Sequence, residues 1–133
     1  QKNLFHQEVE NYTVEDTSGT VVEFGGGGIG VIYATNNAIP GKWINDYHVV
    51  TRSLTAAFTD ANNAVFTYTT EQEIRSETHT STENVHMLEM LDLYRAIVEN
   101  GQTRTPIREG ALSLDLALAM AKSAQIQVPV RMG

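Results

Sequence analysis

The fold is decided by residues 19–36, which read Gly-Thr-Val-Val-Glu-Phe-Gly-Gly-Gly-Gly-Ile-Gly-Val-Ile-Tyr-Ala-Thr-Asn. Two runs rich in β-branched and aromatic residues, 19–24 and 29–36, flank four consecutive glycines, a pattern typical of a β-hairpin. Gly25, Gly27 and Gly30 also satisfy the G-x-G-x-x-G fingerprint of dinucleotide sites. That fingerprint must open a helix, whereas the chain continues here as a strand, so we expect turn glycines and no cofactor-binding loop.

Three further strands are predicted downstream, over residues 43–52, 54–59 and 64–70, and a sixth short strand within residues 4–12. The turn before the last downstream strand reads Asp-Ala-Asn-Asn, which includes residue types that tolerate left-handed geometry. Such short connections favour antiparallel pairing, because parallel neighbours need a crossover of a dozen or more residues.

The hydrophobic period changes to that of a helix after residue 80. Thr80 and Glu83 have the spacing of a capping box. Apolar residues then follow at intervals of three and four: Val85, Leu88, Leu91, Tyr94 and Val98. We expect this helix to end at Asn100-Gly101, and a second helix to run from just after Pro106 to about residue 124.

Strands first and helices afterwards predict an α+β fold. We expect a mainly antiparallel open sheet of about five or six strands with two C-terminal helices on one face. The length, 133 residues and 14.7 kDa, predicts a single domain over residues 1–133.

The charge balance excludes several classes of partner. Nine lysines and arginines, scattered along the chain, face sixteen acidic residues, so the formal charge is -7. Without a basic cluster we expect no nucleic-acid partner and no anionic membrane surface. No apolar run approaches the ~20 residues of a membrane span, and the absence of cysteine fits a reducing compartment, so we expect a cytoplasmic protein. Because the chain begins with Gln, we expect a piece of a longer protein.

The expected architecture leaves one face of the sheet without cover. Five strands make a sheet roughly 24 Å wide, which two helices, each about 10 Å across, cover only once. Both sides of the strands are apolar, so we expect a homo-oligomer or domain interface through the open face. We predict this interface at Val31, Tyr33, Trp43, Tyr47 and Val49. Alternation alone leaves open whether this set lies on the open face or whether the set on the other side of the strands does. That second set is Ile32, Ile44 and Val50. The alternative is that residues 70–81 and the N-terminal arm cover the second face within one chain.

The residues offer little chemistry of their own. There is no G-x-S-x-G, and we expect the hydroxyls of Ser113 and Ser123 to bond backbone groups of the second helix. Glu83 and His86 have the three-residue spacing of carboxylate metal sites in helix bundles, but such sites need a matching motif from a second helix, and the second helix has no histidine. We therefore assign no catalytic, cofactor-binding or metal-binding residue in this chain.

Several short segments, taken in order, resemble a known family. They are Val14-Glu15-Asp16-Thr17, Phe24, Gly28-Ile29-Gly30-Val31-Ile32, Glu109-Gly110-Ala111 and Ala121-Lys122-Ser123-Ala124. The chain is similar, over about residues 5–130, to the C-terminal domain of the glucose-fructose oxidoreductase and inositol dehydrogenase family (Gfo/Idh/MocA). The resemblance implies that a preceding Rossmann domain binds NAD or NADP, and that this domain supplies the substrate-side wall and a sheet face for oligomerisation.

The chain also departs from the family pattern. It lacks the family's N-terminal dinucleotide fingerprint, the Glu-Lys-Pro segment with the catalytic lysine, and the Gly-rich segment with Asp and His that normally precedes this region. His6 lies too close to the Val-Glu-Asp-Thr strand to be that histidine. Hydride transfer to or from a sugar or polyol is therefore expected only of a longer parent, and this chain alone is expected to be inactive.

Three hypotheses follow. The leading one is the C-terminal domain of an NAD(P)-dependent sugar or polyol oxidoreductase, whose partners are its own Rossmann domain and further copies of itself. The second is a free-standing oligomerising or small-ligand-binding module without catalysis. The third is a metal-dependent enzyme that uses His79, Glu83 and His86.

Overall fold

The computed structural model describes residues 11, 15–36, 38–39, 41–70 and 73–133. Their elements in chain order are β1 (Thr17–Glu23), β2 (Ile29–Thr35), β3 (Tyr47–Val50), β4 (Leu54–Asp60), β5 (Asn63–Tyr68), β6 (Arg75–Thr80), α1 (Val85–Val98) and α2 (Ile107–Ile126). All strand pairs are antiparallel. The α+β class, the antiparallel pairing and the predicted number of strands and helices are confirmed.

The strands form two sheets instead of one. β1 and β2 pair with each other, and the second sheet has the order β3-β4-β5-β6. The predicted strand 43–52 is shorter than expected, because pairing between β3 and β4 begins only at Tyr47 and Phe58. The described residues directly before Tyr47 lie outside any strand, and the pairing of β4 with β5 shifts register at a bulge beyond Phe58.

Two further differences concern the strand count. The predicted strand within residues 4–12 lies outside the described residues, apart from Asn11, which is in a turn. The sixth observed strand is β6, and the sequence pattern did not predict it. Its sequence, Arg-Ser-Glu-Thr-His-Thr, has no apolar residue, so neither a hydrophobic run nor apolar alternation marks it.

The described residues fall into two compact units, and each is described by itself. The first contains the residues up to Trp43 together with Ala119–Arg131 and Gly133. The second contains Ile44–Leu118 and Met132. The single-domain assignment for residues 1–133 stays a prediction.

In the first unit, the β1–β2 hairpin turns through its glycines, as predicted. The Phe24 N–H donates to Gly28 O (2.9 Å) and the Gly27 N–H donates to Phe24 O (2.8 Å). Gly27 has φ +84°, a left-handed conformation that glycine adopts without steric cost. Gly25 and Gly27 therefore lie in a turn between strands, Gly30 lies within β2, and none of the three opens a helix.

In the second unit, one side of the four-stranded sheet carries a row of rings. Tyr47 stacks on Phe58 (centroids 4.3 Å apart, 13° between planes), and Phe58 meets Phe66 edge-on at 5.9 Å. Phe66 continues the row to His79 at 4.8 Å. Because side chains alternate along each strand, Ala56 and Ala64 share this side, and they are the buried apolar residues of the described chain. We call this set of four rings the aromatic row.

The turn between β4 and β5 is fixed by one carboxylate. Asp60 Oδ1 accepts a hydrogen bond from the Asn62 N–H (2.7 Å), and both of its oxygens accept from the Asn63 amide (2.9 Å each). Asn62 in turn donates to Glu83 O and accepts from the Ser81 N–H, which joins the turn to the segment before α1. The backbone hydrogen bond from Asn62, followed by that from the Asn63 side chain, lowers the pKa of Asp60 from 3.8.

Helix α1 begins at Val85, the first residue of the predicted apolar stripe, four residues later than a cap at Thr80 would place it. The N-cap is Asn84, whose Oδ1 accepts from the Met87 N–H at 3.1 Å. The capping-box assignment of Thr80 and Glu83 is therefore wrong. Thr80 ends β6, and an asparagine directly before the first helical residue is among the strongest N-caps.

The end of α1 follows the prediction. Asn100 adopts φ +51°, its N–H donates to Ile97 O, and the Gly101 N–H donates to Ala96 O at 2.9 Å. These are the two hydrogen bonds of a Schellman motif. Asp92 then fixes the connection to α2, because its carboxylate accepts from the Arg104 N–H at 2.8 Å.

Helix α2 starts directly after Pro106, as predicted, and extends two residues beyond the predicted end. Gln127 has φ +58° and donates its N–H to Ser123 O (2.8 Å), which is the single hydrogen bond of a left-handed helix end. The Ser123 hydroxyl donates to Val128 O at 2.8 Å and holds the segment that follows.

We predict that the Asp60 carboxyl titrates with a midpoint below 3.8. A carboxyl whose pKa is lower folded than unfolded stabilises the fold above its unfolded pKa, and this stabilisation is lost as the pH falls through the folded value. Carbon-detected NMR of the Asp60 carboxyl between pH 2 and pH 6 measures the midpoint. A midpoint at or above 3.8 contradicts the hydrogen bonds described for this turn.

We predict that Asn84→Ala lowers the free energy of unfolding by about 1 kcal/mol, because the Met87 N–H loses its acceptor. Thr82→Ala is the matched control, since Thr82 is an exposed neighbour that precedes the cap. Urea unfolding followed by circular dichroism compares the two variants. Equal loss in both variants would show that Asn84 does not act as the cap.

Candidate interaction surface

The most exposed apolar patch of the first unit lies on one side of the β1–β2 hairpin. The pairing register places Val21 opposite Val31, Gly19 opposite Tyr33 and Glu23 opposite Ile29. Alternation puts all of these residues on the same side. Its four large apolar side chains remain mostly in contact with water: Val21 (66% exposed), Ile29 (72%), Val31 (76%) and Tyr33 (70%). We call this side the open hairpin face.

The opposite side of the hairpin is partly covered by its own residues. A Cβ atom built on Gly30 would lie 3.3 Å from Cε2 of Phe24, so the Phe24 ring lies over this glycine. Val22 and Thr20 on this side are half-buried. The two sides of the hairpin therefore differ, and the side with Val31 and Tyr33 is the one left exposed.

The structure divides the predicted interface residues between the two sheets. Val31 and Tyr33 lie on the open hairpin face, whereas Tyr47 and Val49 lie on the side of the four-stranded sheet that carries the aromatic row. Trp43 lies outside the strands and is 90% exposed. The interface assignment itself stays a prediction, but these five residues do not share one sheet.

The opposite set is divided in the same way. Ile32 lies on the covered side of the hairpin, Val50 lies on the side of β3 away from the aromatic row, and Ile44 is outside the strands. Two residues of the open hairpin face, Val21 and Ile29, were missed. Counting outward from the glycine turn gives the hairpin register, and that register identifies them as neighbours of Val31 and Tyr33.

The apolar stripe of α1 is also exposed. Within the second unit, this helix forms no extensive contact with the described strands. Its exposed apolar side chains are Met87, Leu88, Met90, Leu91, Leu93, Tyr94, Ile97 and Val98.

A groove of about 340 Å³ runs beside β1 within the first unit. Its walls are Gly19, Thr20 and Val21 on one side and the last turns of α2 with the following segment on the other: Met120, Ser123, Ala124, Gln127, Val128 and Pro129. We call it the β1–α2 groove. Apolar and polar groups line it in similar measure, so it can accept an amphipathic group such as a tyrosine side chain.

The candidate nucleophiles both bond backbone oxygens. The Ser113 hydroxyl donates to Glu109 O within α2 at 3.1 Å, as predicted, whereas the Ser123 hydroxyl donates to Val128 O, which lies beyond the end of this helix. Neither serine has a described histidine as a hydrogen-bond partner, so neither is activated in the way that acyl transfer requires.

The proposed metal ligands are not brought together. His79 lies on β6 with Nε2 3.6 Å from Glu77 Oε2, whereas His86 lies on α1 with Nδ1 3.6 Å from Glu89 Oε2. Glu83 precedes the cap Asn84, so it shares no helical turn with His86. In the described part of the chain, no group of three acidic or histidine side chains is arranged to hold a metal ion.

Comparison of the chain with protein-family models, with curated proteins and with solved structures finds no match. Among the residues that the structure describes, no helix combines the length and the apolar character needed to cross a membrane.

We predict that Tyr33→Glu dissociates an assembly formed by this chain, because a buried, unpaired carboxylate costs several kcal/mol, or more than roughly a hundredfold in dissociation constant. Ala34→Glu is the matched control, since Ala34 is the next residue on the other side of β2. Light scattering of both variants over a concentration series gives the masses. Tyr47→Glu is less informative, because it also removes the stacking on Phe58. A Tyr33→Glu variant that stays assembled would assign the contact to another surface.

Proposed function

We propose that this chain is the C-terminal domain of a longer NAD(P)-dependent oxidoreductase that acts on a sugar or polyol. In this proposal it supplies the wall on the substrate side and the contact between subunits, and the parent is a cytoplasmic enzyme. The observation that carries the proposal is the exposed apolar surface of the open hairpin face and of α1. The resemblance to the Gfo/Idh/MocA family supplies the kind of parent.

The exposed surface supports a role in a larger assembly because secondary structure with an apolar side needs a second layer. An isolated two-stranded hairpin is at best marginally stable in water. Helix α1 presents eight large apolar side chains to solvent, which a water-facing helix normally replaces with polar residues. Further polypeptide, from the same parent or from another copy, provides the missing layer.

The described side chains support assigning the chemistry to the rest of the parent. The serine hydroxyls bond backbone carbonyls, and His79 and His86 are each placed beside a different glutamate. In the proposed enzyme, NAD or NADP is therefore held by the Rossmann domain, and hydride transfer takes place there. This chain alone is inactive.

We predict that the gene encodes, upstream of Gln1, a strand followed by a glycine-rich helix start, and that the full-length protein binds NADH or NADPH. Quenching of protein fluorescence on titration with each nucleotide measures binding, and the 133-residue chain serves as the control without binding. A reading frame that begins near Gln1, or a full-length protein without nicotinamide binding, rules the proposal out.

The β1–α2 groove favours the second candidate function, a free-standing module that binds a small ligand. Its volume of about 340 Å³ is at the lower end for small-molecule sites. That candidate requires the 133-residue chain alone to bind a small molecule without nicotinamide. Substitution of Met120 by Trp would fill the groove and abolish such binding.

A further inference from the structure

We propose that the β1–α2 groove binds an extended peptide segment with a basic residue, and that this segment adds to the hairpin as a third strand beside β1. The inference goes beyond the proposed function, because it concerns the edge of the hairpin and a partner that neither an oxidoreductase nor a contact between subunits requires. It needs no nicotinamide chemistry and no second copy of the chain.

The groove follows the edge of β1 and not one side of the hairpin. Its wall on the hairpin is formed by Gly19 and Val21, which lie on one side of β1, and by Thr20, which lies on the other. Residues from both sides share one wall only where that wall is the strand edge itself. β2 pairs with the other edge of β1, and no described strand pairs with this one.

The backbone groups at this edge are directed into the groove. The Phe24 N–H donates to Gly28 O, and hydrogen-bonded pairs alternate along an antiparallel ladder, so the even-numbered residues of β1 are the ones that bond β2. Gly19 and Val21 therefore point their N–H and C=O groups away from β2. No described group donates to them or accepts from them. These donors and acceptors can pair with the backbone of an added strand, which is how many domains recognise extended peptides.

β1 lacks the features by which proteins normally protect a strand edge. Such edges are usually short, bulged or occupied by lysine or proline, because an unpaired edge accepts a strand from another chain. β1 has seven residues, Thr17–Glu23, without lysine or proline, and its register with β2 is unbroken. Gly19 has no heavy atom within 4 Å of the position where a Cβ atom would stand, so a second backbone can approach it closely.

The groove has the length of a short strand. Residues 19–21 of β1 line it, which at 3.3 Å per residue corresponds to roughly 10 Å of added strand. Met120, Ala124 and Pro129 line the groove on the side of α2. A bound segment therefore makes backbone hydrogen bonds on one side and apolar contacts on the other.

The end of α2 selects for a basic residue in the bound segment. Of the last four carbonyls of this helix, that of Ser123 accepts from the Gln127 N–H, whereas no described N–H reaches those of residues 124–126. Pro129 has no N–H to offer Gln125 O, the acceptor four residues before it. The last turn has no basic residue, so no side chain of that turn compensates the negative end of the helix dipole. A lysine ammonium, which has three N–H donors, matches this end of the groove.

The first test removes one outward N–H from each edge of the hairpin in turn. Val21→Pro deletes a donor that faces the groove. Val31→Pro is the matched control, because Val31 is the cross-strand partner whose N–H points to the opposite edge. Proline is tolerated at both positions, since neither N–H bonds within the hairpin.

Fluorescence anisotropy measures binding of labelled peptides to the 133-residue chain. The peptides alternate threonine and valine, and each has a lysine at a different position. We expect Val21→Pro to raise the dissociation constant of the best-bound peptide at least about tenfold, since one backbone hydrogen bond and its geometry are lost. We expect Val31→Pro to leave the constant unchanged.

The second test uses the wild-type chain and does not depend on the folding of a proline variant. Two series of the best-bound peptide have N-methyl groups on alternate amides, which removes donors from one edge of the peptide and keeps its side chains. We expect one series to lose binding at least about tenfold and the other to keep it, because only one edge of an added strand faces β1. Replacement of the lysine by glutamate is expected to weaken binding several-fold.

Several results would overturn the inference. They are a wild-type chain that binds none of the peptides, equal effects of the two methylated series, and equal effects of the two proline substitutions in variants whose circular dichroism is that of the wild type. A glutamate peptide that binds as tightly as the lysine peptide overturns the choice of a basic partner. If β1 of a second copy occupies the edge instead, no peptide binds and Val21→Pro lowers the mass measured by light scattering, which also overturns the inference.

Discussion

The rest of this structure depends on one constraint, which is that apolar side chains must be removed from water. A strand or helix that is apolar on one side is stable only when another layer removes that side from water. The two units meet this requirement to different degrees. In the four-stranded sheet, neighbouring rings shield one another, and small alanines at positions 56 and 64 are buried between them. In the hairpin, Phe24 shields one side and the other side has no described cover.

This difference explains why the hairpin, and not the aromatic row, is the better candidate for contact with another chain. One face of the Tyr47 ring already stacks on Phe58. Tyr47 is exposed because it lies at the edge of the aromatic row. Tyr33 has an empty glycine beside it and stacks on nothing described. Exposure alone does not distinguish the two tyrosines, whereas their surroundings do.

The local features of the fold could be predicted from the sequence, and the non-local ones could not. The glycine turn predicted both hairpin strands, and apolar spacing with Pro106 and Asn100 predicted the C-terminal end of α1 and both ends of α2 to within two residues. β6 was missed because its pairing depends on Phe66 and Tyr68 of the neighbouring strand, while its own residues are polar. The division of the strands between two sheets was missed for a related reason. The residue types between β2 and β3 do not indicate whether these two strands pair with each other or belong to different sheets. For the same reason, the predicted interface combined Val31 and Tyr33 with Tyr47 and Val49, although the two pairs lie in different sheets.

The aromatic row has a consequence for how the four-stranded sheet forms. If β5 slid by one residue, Phe66 and Tyr68 would turn to the other side, and Val65 and Thr67 would take their places. Such a mispaired sheet would lose the contacts of Phe66 with both Phe58 and His79. It would also lose the contact between the Arg75 guanidinium and the face of the Tyr68 ring. A β5 strand paired one residue out of register is therefore less stable than the native pairing, and the aromatic row helps to specify the register of the sheet.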